Sequence, residues 1–226
     1  MSETGSPAEP GAGDSAKQHV IGSLRGSILA GDMVPGQRLV EAELAEMLGV
    51  TRASVRAALI DLSADGLVER VPNRGARVRV VSVDEAVAIT ECRMVLEGLC
   101  AAKAAENATG AQIDRLTALG ERLSAAASEG EPLKYSALNR ELHALVHETS
   151  GQAVAAGLLQ RLNAQIVRHQ FRLSLRPGRT HVSLPEHLAI IGAIAARDPD
   201  AAEAAARQHL RSVISALRET HPDGSS

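Results

Sequence analysis

Residues 41–80, EAELAEMLGVTRASVRAALIDLSADGLVERVPNRGARVRV, decide how this chain is read. Positions 41–48 carry a short helical pattern with Leu44, Ala45 and Leu48 on one side. Gly49 stops it, since glycine readily takes the left-handed backbone that ends helices. Thr51 stands where an N-cap belongs, ahead of a second helix over 52–64 striped by Val55, Leu59 and Leu62. Gly66 closes that helix, and two β-rich runs at 67–71 and 77–81 follow around Pro72-Asn73-Arg74-Gly75. They predict a hairpin. Arg77 and Arg79 alternate with Val78 and Val80, so one hairpin face reads as basic and the other as apolar. A helix, a tight turn, a capped helix and a hairpin make a winged helix-turn-helix, whose second helix enters a DNA major groove.

Base edges are read from the N-terminal part of such a helix, which here holds Thr51, Arg52, Ser54 and Arg56. Arginine can donate two hydrogen bonds to guanine, and serine or threonine serves a base edge or a phosphate. The helix N-terminal amides also favour phosphate. The hairpin is the expected wing, with Arg74 at its tip beside Gly75, whose missing side chain permits close backbone approach. Alone, Arg52 and Arg56 at i and i+4 read as an ordinary solvated face; the wing that follows is what favours DNA.

Working outward, residues 15–30 place Val20, Leu24, Ile28 and Leu29 at helical spacing, and Pro35-Gly36 makes a turn. Residues 1–14 are rich in Gly, Pro, Ser and acids and read as a disordered tail. From Ser82 onward the pattern is helical almost to the end, at roughly 84–107, 110–129, 132–149, 151–176, 184–197 and 199–219. The expected fold is therefore mainly α: a winged helix-turn-helix over 15–81, then an all-α six-helix bundle over 83–219. Hydrophobic residues make up 45% of the chain, enough for two cores, yet there is no Trp and only one Tyr and one Phe. Packing must rest on Leu, Val, Ile and Ala, which suits helix on helix.

Net charge is −3, which by itself does not point to nucleic acid, but its distribution does. Residues 15–81 hold nine Lys/Arg against seven Asp/Glu, with Arg70, Arg74, Arg77 and Arg79 clustered late, while both flanking blocks are net acidic. Cys92 and Cys100, eight apart on one helix, lie beyond disulfide reach and read as buried free thiols. No apolar run is long enough for a membrane span, and the N-terminus has neither the basic start nor the apolar stretch of a signal peptide. The expected location is cytoplasmic.

Residues 21–80, with ILAGDMVPGQRLVEAELAEMLGVTRASVRAALIDLSADGLVERVPNRGARV as their signature, resemble the GntR family of bacterial regulators. The resemblance implies that Thr51, Arg52, Ser54 and Arg56 face DNA, with Arg74 and Gly75 in the minor groove. Some members carry a DNA-contacting Arg in the first motif helix, where this chain has Ala42. Residues 83–219 are similar to the FCD ligand-binding domain of the FadR subfamily, in its six-helix VanR-type form. The segments that carry the likeness are ECRMVLEGLCAAKAA, LNRELHALVHETSGQ, LPEHLAIIGAI and AARQHL. That likeness implies a metal centre at Asn139, His143, His187 and His209, and a ligand-facing Arg93. Residues 139 and 143 share a helical face. Three imidazoles suit zinc, nickel or a related divalent ion, and an open coordination position would hold a carboxylate. The family commonly has Asp where Asn139 stands, so the site lacks one negative charge. His147 is a further possible ligand, and an ion pair with Glu97 at i+4 is the alternative role of Arg93.

The expectation is a repressor, not an enzyme, that binds a palindromic operator as a homodimer and responds to a small organic acid. Two rivals stay open: a DNA-binding protein with an inert helical dimerisation domain, and a metal-dependent hydrolase.

Overall fold

Four-residue spacing buries Val20, Leu24 and Ile28 along one side of helix α1 (Ala12–Ala30). Leu29, expected on the same stripe, is 42% exposed. Strand β1 (Arg38–Leu39) and helices α2 (Glu41–Leu48) and α3 (Arg52–Ala64) follow, then strands β2 (Val68–Val71) and β3 (Gly75–Val78). The structure is a computed structural model that describes residues 12–71 and 75–219. Most of the expected tail and the wing-tip residues Pro72, Asn73 and Arg74 lie outside the described residues; residues 12–14 belong to α1.

Gly49 turns the chain between α2 and α3 at φ 64°, where a side chain would be strained. Thr51 starts α3 by accepting the Ser54 N–H at 3.1 Å. The α3 stripe of Val55, Leu59 and Leu62 is buried, and α1 is tied to α3 by Lys17–Asp61 at 2.8 Å and by Arg25–Asp65. The sheet is antiparallel in the order β1-β3-β2, with Leu39 opposite Ala76 and Arg70 opposite Ala76 on the other side. A two-residue strand has no periodicity, so β1 was invisible to pattern reading. β3 ends at Val78, and Val80 is 60% exposed, so the apolar hairpin face stops two residues short of expectation.

The chain separates into two units between Val80 and Val81. In the second, among the described residues, there are seven helices: α4 (Val83–Asn107), α5 (Gly110–Ser128), α6 (Pro132–Ser150), α7 (Ala153–Gln165), α8 (Val167–Ser174), α9 (Arg179–Ala195) and α10 (Pro199–Glu219). Ser82 caps α4, a Thr109–Gln112 capping box starts α5, and Pro132 opens α6. The helix expected over 151–176 is two. It breaks at Ile166, whose buried side chain packs with Ala86, Val87, Ile214 and Leu217. The helix expected from 184 begins at Arg179 and carries Pro185 inside it. Helix α4 packs against α6, α7, α9 and α10, and the main core joins Ala101, Leu123, Leu142, Ile194 and their neighbours. Cys100 is buried in a separate cluster with Ala155 and Leu159, but Cys92 is exposed, contrary to expectation. Among the described residues no helix is long and apolar enough to cross a membrane.

Candidate functional site

The first candidate surface is the N-terminal end of α3. Thr51 Oγ1 accepts the Ser54 amide and lies 3.0 Å from Ser54 Oγ. Ser54 is buried, so its hydroxyl serves the cap and does not stand out into solvent as the sequence reading expected of it. Arg52 is exposed. Arg56 is exposed too, but its Nε donates to Glu41 Oε1 at 3.1 Å and its Nη2 to Glu41 Oε2 at 2.7 Å. These Arg56 hydrogen bonds hold the Glu41 carboxyl below its usual range; burial pushes the other way, and the charges of Arg56, Arg70 and Arg52 assist the bonds.

Arg38 on β1 and Arg70 on β2 join Arg52 and Arg56 around one concavity of about 730 Å³, with Glu41 in its wall. Sequence reasoning missed Arg38 and Glu41, which only the tertiary fold brings to α3. Arg70 was read only as part of a basic cluster. Gly75 lines the same concavity at φ 86°. A Cβ there would lie 2.9 Å from the Leu39 carbonyl, so pairing with β1 already demands glycine. Arg74, the expected wing-tip contact, lies outside the described residues.

The second candidate is a buried cluster in the helical unit. His143 from α6, His187 from α9 and His209 from α10 each offer one ring nitrogen, all within 4.8 Å of one another. Ring centroids are 4.4 Å apart for His187–His209, 5.5 Å for His143–His209 and 5.7 Å for His143–His187. In every case Nδ1 has a partner. His143 Nδ1 lies 3.3 Å from Glu97 Oε2, His209 Nδ1 2.8 Å from Glu186 Oε2, and His187 Nδ1 2.9 Å from the Tyr135 hydroxyl. Facing carboxylates, His143 and His209 carry the hydrogen on Nδ1 and keep the Nε2 lone pair for the centre, and His187 does the same when its Nδ1–H donates to the Tyr135 hydroxyl. His187 Nε2 is buried and has no hydrogen-bond partner.

Asn139 sits one turn before His143 on α6, and its Oδ1 is likewise buried without a partner. These donors fit an N/O-ligated divalent ion, whose ligands lie at about 2.0–2.2 Å.

Glu97, taken in the sequence only as a partner for Arg93, is 2% exposed and central to the cluster. It accepts from His147 Nε2 at 2.8 Å as well as from His143, and Arg93 Nη2 lies 3.4 Å from its other oxygen. Burial alone pushes the Glu97 carboxyl up, but His143 and His147 together hold it well below its usual range. His147 therefore leans on Glu97, and those two with His143 form a second set of adjacent donors. Arg93 takes part in the ion pair and also keeps its buried Nε without a partner. Burial lowers the pKa values of His187 and His209 well below normal, with neighbouring imidazoles and Arg179 adding to it. Burial also pushes the Tyr135 hydroxyl up to about 12. Arg179, Glu186 and Tyr135 carried no sequence signal, because their roles depend on contacts between helices.

Residues 16–78 match the gntR family of bacterial regulatory proteins, and residues 88–212 match the FCD domain. The HTH-type transcriptional repressor RspR of Escherichia coli is 26% identical over 208 residues, covering 92% of this chain and 91% of that protein. The HTH-type transcriptional repressor NanR of Citrobacter rodentium is 30% identical over 203 residues, covering 81% of this chain and 76% of that protein. Among solved structures, E. coli McbR/YncC superposes with a TM-score of 0.75 at 22% identity, covering 91% of this chain and 98% of that one, a likeness of fold.

Proposed function

The chain belongs to the GntR family of bacterial regulatory proteins, with an FCD domain behind its winged helix-turn-helix, and from that premise we propose that it is a cytoplasmic, metal-assisted, effector-responsive repressor. It is a DNA-binding transcriptional regulator and not an enzyme, so the hydrolase reading falls away. The repressor assignment draws on the relatives RspR and NanR, which are repressors.

The observation that carries the effector reading is the convergence of His143, His187 and His209 from three helices, each with its outer nitrogen held. A divalent ion bound there supplies a Lewis-acidic position for a carboxylate. The chain's own residues do the rest. Glu97 and Glu186 hold the tautomers of His143 and His209, the Tyr135 hydroxyl orients the His187 ring, Asn139 offers a neutral amide oxygen, and Arg93 Nε offers an anion-binding donor. The inert-domain alternative leaves those buried, unpartnered polar atoms without a purpose, and each costs free energy as it stands.

A homodimer is favoured by an exposed apolar strip. Val95 and Leu99 on α4 are 51% and 39% exposed, and Val154 and Leu158 on α7 are 78% and 43% exposed. They flank the buried α4–α7 contact of Leu96, Cys100, Ala155 and Leu159. Two copies joined through such a strip would present two recognition helices to a palindrome. Effector occupancy need only favour one arrangement of the paired recognition helices over another.

The test is a titration of chelator-stripped full-length protein with Zn or Ni, with and without a small dicarboxylate, read by elemental analysis and calorimetry. Wild type is expected to bind the metal more tightly when the dicarboxylate is present. Asn139→Asp is expected to bind metal more tightly and to depend less on the anion. Absence of metal binding in both proteins would refute the metal-assisted reading.

A further inference from the structure

The Arg56–Glu41 pair joins residues fifteen positions apart, from two different helices, on the rim of the four-arginine concavity. The Arg56 side chain is 62% exposed and that of Glu41 25%. An ion pair this exposed adds little to stability, so its geometry has to be explained in another way. A guanidinium has five coplanar N–H donors. Arg56 spends the side formed by Nε and Nη2 on Glu41. The end-on fork of Nη1 and the second Nη2 hydrogen remains, and that fork is what matches guanine O6 and N7.

We infer that Glu41 is a positioning residue: it holds Arg56 with its end-on fork outward to read guanine and discourages Arg56 from settling on phosphate. The inference rests on the reading of α3 as the recognition helix. Three features support it. Glu41 is the first residue of α2, where the helix dipole favours a carboxylate, so the backbone of a second helix anchors the group that holds Arg56. Arg70 and Arg52 also bear on Glu41, which keeps it ionised beside them. Finally, its negative charge repels a phosphate that approaches Arg56 side-on, while a neutral guanine edge meets no such penalty. Glu41 thereby trades non-specific affinity for discrimination. A tethered arginine also has less rotamer freedom to lose on binding DNA.

The experiment uses the full-length chain and a duplex selected by it from a randomised double-stranded pool. Affinity is measured for that duplex, for single-base-pair variants of it and for a scrambled duplex, across a salt series. The proteins are wild type, Glu41→Gln, Arg56→Gln and the double variant, with circular dichroism melts as a check on folding. Glu41→Gln is expected to bind the scrambled duplex more tightly, with the salt slope steeper by about one phosphate contact. Its preference for the selected duplex should fall about tenfold, concentrated at one G·C pair. In the double variant the preference should fall no further than in Arg56→Gln alone, because the two residues act as a unit.

If Arg56→Gln lowers the preference and Glu41→Gln does not, the positioning role is refuted while the recognition helix stands. Additive losses in the double variant would mean that Glu41 reads a base by itself, which also overturns the proposal. An Arg56→Gln protein with unchanged preference would remove the recognition-helix reading and this inference together.

Discussion

Acidifying the metal-free protein from pH 7 to about 5 should markedly destabilise the helical unit. His187 is 1% exposed and His209 is 4% exposed. Burial first, then neighbouring imidazoles and Arg179, hold both well below 6.5 and therefore neutral in the fold. In the unfolded chain each titrates near its ordinary value, so below that pH the unfolded state binds more protons than the folded one. Stability from these groups is fully present above about 6.5 and is lost as pH falls from there toward the folded values. Each histidine costs up to about tenfold in the folding constant per pH unit, and the pair up to about a hundredfold. From 6.5 to 5 that limit is about 4 kcal/mol, a large share of an ordinary domain's stability. Glu97 does not blur the window. Its carboxyl is held below its usual value of 4.5, so its contribution is retained above that and lost only at lower pH. The assay is urea unfolding in the presence of a chelator, followed by tyrosine fluorescence. Tyr135 is the only tyrosine, the chain has no tryptophan, and Tyr135 lies against His187, so the signal reports the helical unit alone. His187→Gln should roughly halve the slope of stability against pH. A midpoint that stays flat between pH 7 and 5 in wild type would refute the claim that these imidazoles are held neutral by the fold.

Two further outcomes test the winged unit. Arg52→Ala should weaken binding to a selected duplex by about 1–3 kcal/mol, with an unchanged melt, because Arg52 is exposed and outside the Val55–Leu59–Leu62 stripe; equal affinity in a gel-shift titration would contradict its assigned role. Gly75→Ala should destabilise the winged unit by about 1–3 kcal/mol, since φ is 86° and the new Cβ would meet the Leu39 carbonyl at 2.9 Å; faster amide exchange at β1 and β3 is the measurement, and unaltered protection would show that the turn absorbs the methyl.

What was legible in the sequence was what depends on neighbours along the chain. Gly49 and Thr51 mark the ends of α2 and α3 through local backbone chemistry, and both boundaries stand where those residues put them. The three histidines were reachable only through family resemblance, since positions 143, 187 and 209 share no local pattern. Features set by distant contacts were lost. Ile166 continues the apolar rhythm of α7, and only its packing with Ala86 and Ile214 shows why the helix breaks there. Glu41 read as an acid at a helix start until Arg56 reached it from α3. Glu97 read as half of a local pair with Arg93, because its other partners, His143 and His147, lie 46 and 50 residues away.

Glu97 matters most for the argument about charge. Counting only the ligands that family resemblance implies, three imidazoles and Asn139 leave a divalent ion uncompensated. The fold adds Glu97 behind His143 and Glu186 behind His209, two carboxylates that make those rings better donors. It also adds two cations, the buried Arg93 at 3.4 Å from Glu97 and the partly buried Arg179 at 3.7 Å from Glu186. Two arginines against two glutamates sum to zero, so the surroundings return none of the missing charge. In the proposed reading an ion at the three imidazoles keeps its full positive charge in a buried setting, where leaving it unmatched is expensive. An anionic effector is then the natural counter-charge. In that reading, a dependence of metal binding on a carboxylate would follow from the balance of four outer residues, not from Asn139 alone.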